Sequence, residues 1–345
     1  MSDATDVNDR IDDFARRARR VADENGWRIL AGCTALGAAL PLVGLQEGYY
    51  MTVVSELFMF AVLALSWDLI GGQTGYPSFG NMAFFGIGAY STAILTKDMG
   101  VGFYPAWFVG AVLAVVAAVL IGAAVLRLRG GYFAIATLGV LLAAQQVTRN
   151  LDITGGASGK ILLNSQSETT FYYLFLGLLA VEVALVYYLT GTRFGYVLNA
   201  IRDDEGKATA MGENTTYYKV VALAVAACFT GFAGGAWSLS NTFVDPATGY
   251  SLAWNVEIIA MSLLGGAGTV VGPVLGAFGL HGIVAVVDVW FSGWQLVIIG
   301  SIVIVTVIAF PKGVVGTLLA RANAMEYYRH GGQAAGESPE EGAEE

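Results

Sequence analysis

Residues 71–90 read GGQTGYPSFGNMAFFGIGAY, a stretch in which glycines and Pro77 interrupt an otherwise apolar region. It follows the apolar run 51–70, which has the length of about 20 residues that a helix needs to cross a bilayer. Backbone that is unwound at membrane depth is tolerated only where it is buried in protein or lines an aqueous cavity. The stretch therefore predicts a bundle of membrane helices in which one helix is broken.

A second stretch of the same kind, LLGGAGTVVGPVLGAFG, occupies residues 263–279. One glycine-rich interruption in each half of the chain is typical of transporters built from internal repeats. The alternative interpretation is plain close packing of helices through small residues. The two interpretations are compatible, and the pattern alone leaves both open.

The composition supports a membrane protein. Of the 345 residues, 56% are hydrophobic and only 13% are charged, with a mean hydropathy of +0.62. Soluble domains contain about 25% charged residues. The apolar runs are too long for the strands of about 10 residues that build a membrane barrel, and the net charge of −9 argues against nucleic acid as a partner.

The distribution of positive charge predicts the orientation. If the N-terminus is cytoplasmic, only Lys97, Arg149 and Lys160 of the 18 Lys and Arg residues are external. We expect an all-α, polytopic bundle with both termini cytoplasmic and about ten segments, or eight to ten because the third and eighth could be re-entrant. The segments lie roughly at 28–45, 51–70, 77–96, 103–126, 132–147, 170–190, 217–240, 253–264, 269–288 and 292–310.

Three regions follow from this map. Residues 1–27 form a cytoplasmic N-terminal tail, residues 28–312 form the membrane domain, and residues 313–345 form an acidic cytoplasmic tail. Both tails have the composition of solvated segments.

The sequence offers little support for a catalytic or metal-binding motif. GGASGK at 155–160 fails as a phosphate-binding loop, because its spacing is one residue short and Ile161 follows the lysine. No His or Cys cluster has metal-ligand spacing, so we predict no metal site and no enzyme. Five ionisable residues lie inside predicted helices, and each is interpreted as structural rather than as part of a relay: Glu56, Asp68, Glu182, Glu257 and His281.

The stretch NAIRDDEGKATAMG, residues 199–212, carries five charged residues within the longest internal cytoplasmic loop. It predicts one amphipathic helix over about 197–211, with Gly212 at its C-terminal end. Helices that lie on a membrane surface are usually basic. The acidic residues of this one instead favour docking into a groove of a protein partner, and the alternative is a solvated loop.

Five ordered blocks across about residues 55–318 resemble the LivM-type permease subunits of ATP-binding-cassette importers for branched-chain amino acids. They are GGQTGYPSFGNMAFFGIGAYSTAIL (71–95), LRLRGGYFAIATLG (126–139), ITGGASG (153–159), LLGGAGTVVGPVLGA (263–277) and FPKGVVG (310–316). The resemblance implies that residues 197–212 are the coupling helix, through which a separate ATPase drives the permease. Gly206 and Lys207 replace apolar residues of that family's pattern, and Gly206 is expected to weaken the helix by about 1 kcal/mol.

The resemblance also implies residue roles. For coupling to the ATPase they are Ile201, Arg202, Asp203, Asp204, Glu205, Ala208 and Gly212. For the translocation path and its gates they are Gly75, Ser78, Gly80, Phe84, Gly86, Gly88, Gly265, Gly266, Gly268, Gly272 and Pro273. For the external surface that receives a delivery protein they are Thr154, Gly155, Gly156 and Gly159.

The implied partners are a second, related permease subunit, two ATPases, an external binding protein and the lipid bilayer of the cell membrane. The chain itself would bind no cofactor, since ATP and Mg²⁺ are used by the ATPases. The implied solutes are Leu, Ile and Val. Two alternatives stay open: the same kind of permease for urea or short amides, and a gradient-driven carrier or channel that needs no ATPase.

Overall fold

The computed structural model describes residues 48–162 and 166–290, together with the isolated residues 34, 37, 38, 41, 297, 300 and 301. This part of the chain is predominantly helical, and we number its helices α1 to α10. They are α1 (Tyr49–Gly71), α2 (Asn81–Lys97), α3 (Phe103–Val125), α4 (Gly131–Asn150), α5 (Glu168–Thr190), α6 (Arg193–Ala210), α7 (Thr215–Ser240), α8 (Pro246–Gly249), α9 (Leu252–Gly265) and α10 (Val271–Trp290). Two short strands, β1 (Lys160–Ile161) and β2 (Phe243–Val244), pair antiparallel.

Five helices, α1, α3, α4, α5 and α7, are long and apolar enough to cross a membrane. Eight of the ten predicted segments coincide with helices, to within about four residues at each end. The segments predicted at 28–45 and 292–310, and most of both tails, lie outside the described residues. The number of spans and the cytoplasmic position of the termini therefore stay predictions.

The centre of the bundle is formed by α1, α2 and α7. Successive residues of α1 from Met59 to Leu65 are buried on every side of the helix. Small residues let α2 and α7 approach to backbone contact: a Cβ atom added at Gly88 would collide with the backbone of Gly231, and one at Gly234 with the backbone of Phe85. Close approach through small residues is how membrane helices gain packing energy.

The outer helices expose apolar side chains. On α3, Phe108, Leu113, Val116 and Leu120 are all exposed although the helix is strongly apolar. Exposed apolar surface of this kind is expected of a helix that faces lipid or another membrane subunit, because the hydrocarbon is as apolar as the side chains.

The second glycine-rich stretch connects α9 to α10. Gly266 and Gly268 adopt positive φ angles of 125° and 82°, which L side chains rarely adopt. A Cβ atom at Gly265 would collide with the backbone of Gly272, and one at Gly276 with the backbone of Met261. The connection is thus a tight turn around which α9 and α10 fold back on each other.

Candidate functional site

The predicted coupling helix is α6, and it is not one continuous helix. It begins at Arg193, and at Asp204 the backbone is extended, with φ −163° and ψ 103°. The side chain of Asp204 accepts a hydrogen bond from the backbone N–H of Lys207 at 3.0 Å. Asp204 therefore caps the N-terminus of a second short helical segment that ends at Ala210.

This kink corrects two expectations. The single helix predicted over about 197–211 is wrong, because the chain turns at Asp204. Gly206 lies in the first turn of the second segment instead of a helix interior, so the expected loss of about 1 kcal/mol does not apply there. The backbone N–H of Lys207 also holds the pKa of the Asp204 carboxyl below its usual range, and the Lys207 ammonium lies 3.4 Å away.

Glu205 is the most connected residue of α6. Its carboxylate accepts hydrogen bonds from the hydroxyl of Tyr76, from Oγ1 of Thr215 at 2.9 Å and from Nζ of Lys219 at 2.7 Å. Nε of Arg129 lies 3.5 Å away. One carboxylate thus joins α6 to the loop after α1, to the connection between α3 and α4 and to the start of α7.

Lys219 explains why Glu205 is needed. Its side chain is only 2% exposed, its ammonium also donates to the carbonyl of Leu126 at 3.1 Å, and it lies 4.3 Å above the ring centroid of Tyr76. A buried ammonium is stable only when it is paired and hydrogen-bonded. Among the described residues, Glu205 supplies the one carboxylate that forms a salt bridge with Lys219.

The pKa values of this cluster follow from its contacts. Burial raises the pKa of Glu205, but hydrogen bonds from Lys219, Tyr76 and Thr215 and the charge of Lys219 lower it more, so the carboxyl titrates below its ordinary value. Burial raises the pKa of the Tyr76 phenol, and its hydrogen bond to the negative Glu205 raises it further. Both shifts favour the ionised carboxylate and the neutral phenol.

Arg202 lies between the two glycine-rich stretches. Its Nη1 donates to the carbonyl of Gly72 at 3.0 Å. A Cβ atom at Gly75 would meet the Arg202 side chain at 3.1 Å, and one at Gly268 would collide with its guanidinium. Gly75 and Gly268, both at positive φ, leave the space that the arginine occupies.

Asp68 joins the second stretch to the same cluster. Its carboxylate accepts hydrogen bonds from Oγ of Ser262 at 2.7 Å and from the backbone N–H of Gly268 at 2.9 Å. The structure therefore brings together Arg202, the end of α1 and the α9–α10 connection, which sequence reasoning had assigned to separate roles. Sequence reasoning named Asp68 as a structural residue without its partners. It missed Tyr76, Thr215 and Lys219, because long-range pairing leaves no periodic signal.

Most other residues predicted for the translocation path lie in contacts between helices. Ser78 is buried and its carbonyl accepts from Nε1 of Trp67 at 2.7 Å. Gly86 faces the ring of Tyr250, and Gly80 faces Thr137. The remaining ones are also buried or partly buried: Phe84, Gly88, Gly265, Gly266, Gly272 and Pro273. Their role in a path stays a prediction, and close packing explains the glycines at 80, 86 and 88 directly.

Ile201 and Ala208 are buried against the bundle, whereas Asp203 and Gly212 are exposed. Ile201 lies in the segment of α6 before the kink, and Ala208 lies in the segment after it. Exposed residues of α6, which are free to meet another protein, include Tyr196 and Lys207, with Met211 directly after the helix. Of the charged patch that the sequence suggested, Arg202 and Asp203 are exposed and Asp204 and Glu205 are partly buried, so the outward surface combines part of that patch with apolar side chains.

The residues predicted for the external surface form an ordered loop near the C-terminal end of α2, at the end of the bundle opposite to α6. Oγ1 of Thr154 donates to the carbonyl of Thr148 at 2.6 Å, and Lys160 forms an ion pair with Asp98. Gly155, Gly156 and Gly159 all have positive φ angles. The backbone conformation at these three positions requires glycine. The docking of a delivery protein on this surface stays a prediction.

The ionisable residues inside the bundle are not isolated. Nδ1 of His281 lies 3.0 Å from Glu257, its Nε2 lies 4.0 Å from Glu56, and its ring stacks on Phe60. Each had been interpreted singly from the sequence. Glu257 and His281 lie the same number of residues before and after position 269. If two antiparallel helices are joined near that position, these two residues come to face each other, and the sequence could have suggested the contact in this way.

Comparison with known proteins agrees with this architecture. The family model described as "Branched-chain amino acid transport system / permease component" matches residues 49–308. High-affinity branched-chain amino acid transport system permease proteins LivM from Salmonella typhimurium and Escherichia coli are each 26% identical over 297 residues, covering 76% of this chain and 68% of theirs. A probable LivM protein of Methanocaldococcus jannaschii is 24% identical over 262 residues, covering 63% of this chain and 75% of its own. No solved structure matches the chain significantly.

Proposed function

Because the chain belongs to the permease family of branched-chain amino acid transport systems, we propose that it is the membrane-spanning subunit of an ATP-binding-cassette importer. It forms the translocation path for Leu, Ile and Val, which an external binding protein delivers. A second, related permease completes the path, and two partner ATPases bind and hydrolyse ATP with Mg²⁺.

One observation carries the coupling part of this proposal. Arg202 and Glu205, three residues apart in α6, reach the α1–α2 connection through Gly72 and Tyr76 and the start of α7 through Lys219. A displacement of α6 by an ATPase is therefore transmitted to the helices that flank the first glycine-rich stretch. Alternating access then follows from movement of one part of the bundle against another.

The same contacts decide which residues remain for the ATPase. The heads of Arg202 and Glu205 bind the chain's own bundle, so substituting them tests folding and docking together. Asp203 and Met211 are exposed, Met211 to 83%, and they are the better probes of docking. Exposed apolar side chains such as Met211 suit insertion into a groove of a partner.

The test is the double variant Asp203→Arg with Met211→Asp. We expect normal amounts of the chain in the membrane, loss of co-purifying ATPase and at least tenfold lower ATP-dependent uptake of leucine. The matched control is Asp152→Arg, which reverses an exposed carboxylate at the opposite end of the bundle. Normal uptake in the double variant would contradict coupling through α6.

The cluster of Glu56, Glu257 and His281 favours one second candidate, a gradient-driven carrier. Ionisable residues inside a bundle often mark proton or ion pathways. A carrier would take up solute in cells that lack the partner ATPases, and collapse of the proton gradient would stop it. Competition by valine, isoleucine, urea and acetamide in the same assay separates amino acids from the urea or amide alternative.

A further inference from the structure

Two helices begin inside the bundle and meet at their N-termini. The backbone N–H of Met82, in the first turn of α2, donates to Oδ1 of Asn255 at 3.3 Å, and Asn255 lies at the start of α9. Gly80 gives α2 no side-chain cap, so this amide from another helix takes the place of one. Ser251 caps α9 by accepting from the N–H of Trp254 at 3.2 Å.

The meeting point is deep in the bundle. At about 1.5 Å per residue, α2 runs about 24 Å from Asn81 to Lys97, and Asn255 lies about 10 Å along α9 from Ser262. Ser262 binds Asp68 near the end of the spanning helix α1. Since the hydrocarbon is about 30 Å thick, Asn81 and Asn255 lie well inside it.

Polar atoms at this point lack partners. Asn81 and Asn255 are both 0% exposed. Among the described residues, neither side-chain polar atom of Asn81 has a hydrogen-bond partner, and Nδ2 of Asn255 has none either. A buried amide without a partner is costly, and each such group in a native protein calls for an explanation. Bound solute in another state of the transport cycle would supply the missing partners.

The surroundings of these amides are aromatic. Trp254 directly precedes Asn255 in the chain. The centroid of its ring lies 6.0 Å from the ring centroid of Phe85, 5.6 Å from that of Trp237 and 5.4 Å from that of Phe60. Phe85 is one helical turn beyond Asn81, on the same side of α2. An apolar wall beside two amides suits a ligand with one aliphatic and one polar end.

We propose that Asn81 and Asn255, at the facing N-termini of α2 and α9, form the intramembrane site for the carboxylate and ammonium groups of an amino acid. The amide Nδ2 atoms donate to the carboxylate, and Oδ1 of Asn81 accepts from the ammonium. The partial positive charge of both helix N-termini favours the carboxylate, and the aromatic wall takes the aliphatic side chain. This inference rests on the proposed function, because it names the solute of that path.

Neutral amides fit a zwitterion better than charged side chains would. A zwitterion has no net charge, so a site that only orients dipoles leaves no buried charge behind when the solute departs. Amides also bind weakly enough to release what they bind, which a path requires. A cation or a simple anion would instead call for a charged residue at this point.

The test uses two substitutions of Asn81 in the complete transporter, with uptake of leucine measured in cells that lack the wild-type gene. Asn81→Asp keeps the shape and adds a negative charge that a helix N-terminus stabilises, but that charge repels a carboxylate. Asn81→Leu keeps the branching and the number of side-chain heavy atoms but removes the unpartnered polar atoms, so we expect a higher melting temperature of the purified chain. Both should lower maximal uptake at least tenfold at equal amounts in the membrane.

Thr92→Val is the matched control, because Thr92 is buried in the same helix and its hydroxyl also lacks a partner among the described residues. It should transport at the wild-type rate. Wild-type uptake in both Asn81 variants overturns the site, provided that gene deletion abolishes uptake. If deletion leaves leucine uptake intact, the proposed function fails, and the solute named here fails with it.

Discussion

At the scale of single residues, the pair of Glu205 and Lys219 decides how firmly α6 is held. The Lys219 side chain is 2% exposed and the Glu205 side chain 12%. Removing one partner of a buried pair leaves an uncompensated charge and costs about 3–5 kcal/mol. We expect Glu205→Ala to destabilise the purified chain by roughly that amount, measured by denaturant unfolding in detergent.

The matched double variant separates charge burial from lost packing. Lys219→Met removes the buried ammonium and keeps much of the volume, so Glu205→Ala with Lys219→Met should recover much of the lost stability. Asp203→Ala, at an exposed position in the same helix, should change stability by less than about 0.5 kcal/mol. If the double variant is no more stable than Glu205→Ala, the stranded charge is not the cause.

At the scale of elements, the kink of α6 depends on Asp204. Its cap bonds the backbone N–H of Lys207, and replacing an N-cap by alanine costs about 0.5–2 kcal/mol. We expect Asp204→Ala to lower stability by about 1 kcal/mol, while Asp204→Ser or Asp204→Asn restores most of it. A straight helix would reverse this order, since alanine is the best residue in a helix interior.

The helices themselves were predictable because apolar length and glycine punctuation are local signals. The run 217–240 corresponds to Thr215–Ser240, and the run 103–126 to Phe103–Val125. The kink in α6 was not predictable, because the amphipathic spacing over 197–211 fits a straight helix. The kink depends on a single side chain, that of Asp204, which caps the second segment. Of the candidate site, the sequence located α6 and both glycine-rich stretches, but not the contacts of Arg202 and Asp68 that join them.

At the scale of the whole molecule, two polar networks tie α6 to the bundle, and they respond differently to pH. Arg202 donates to the backbone carbonyl of Gly72, an acceptor that does not titrate. Glu205 titrates below its ordinary pKa, because hydrogen bonds and Lys219 outweigh its burial. Acid should therefore loosen α6 at the Glu205 cluster before it affects the Arg202 contact.

The sign of the effect on stability follows from linkage. Because the folded state lowers the pKa of Glu205 below its unfolded value of about 4.3, the stabilisation is complete above that value and is lost as pH falls through the folded pKa. We expect the melting temperature of the wild-type chain to fall more between pH 5 and pH 3 than that of Glu205→Gln, which cannot titrate there. Both chains share every other carboxyl, so the difference between their curves reports this cluster alone. Parallel curves would mean that Glu205 does not hold α6 through its charge.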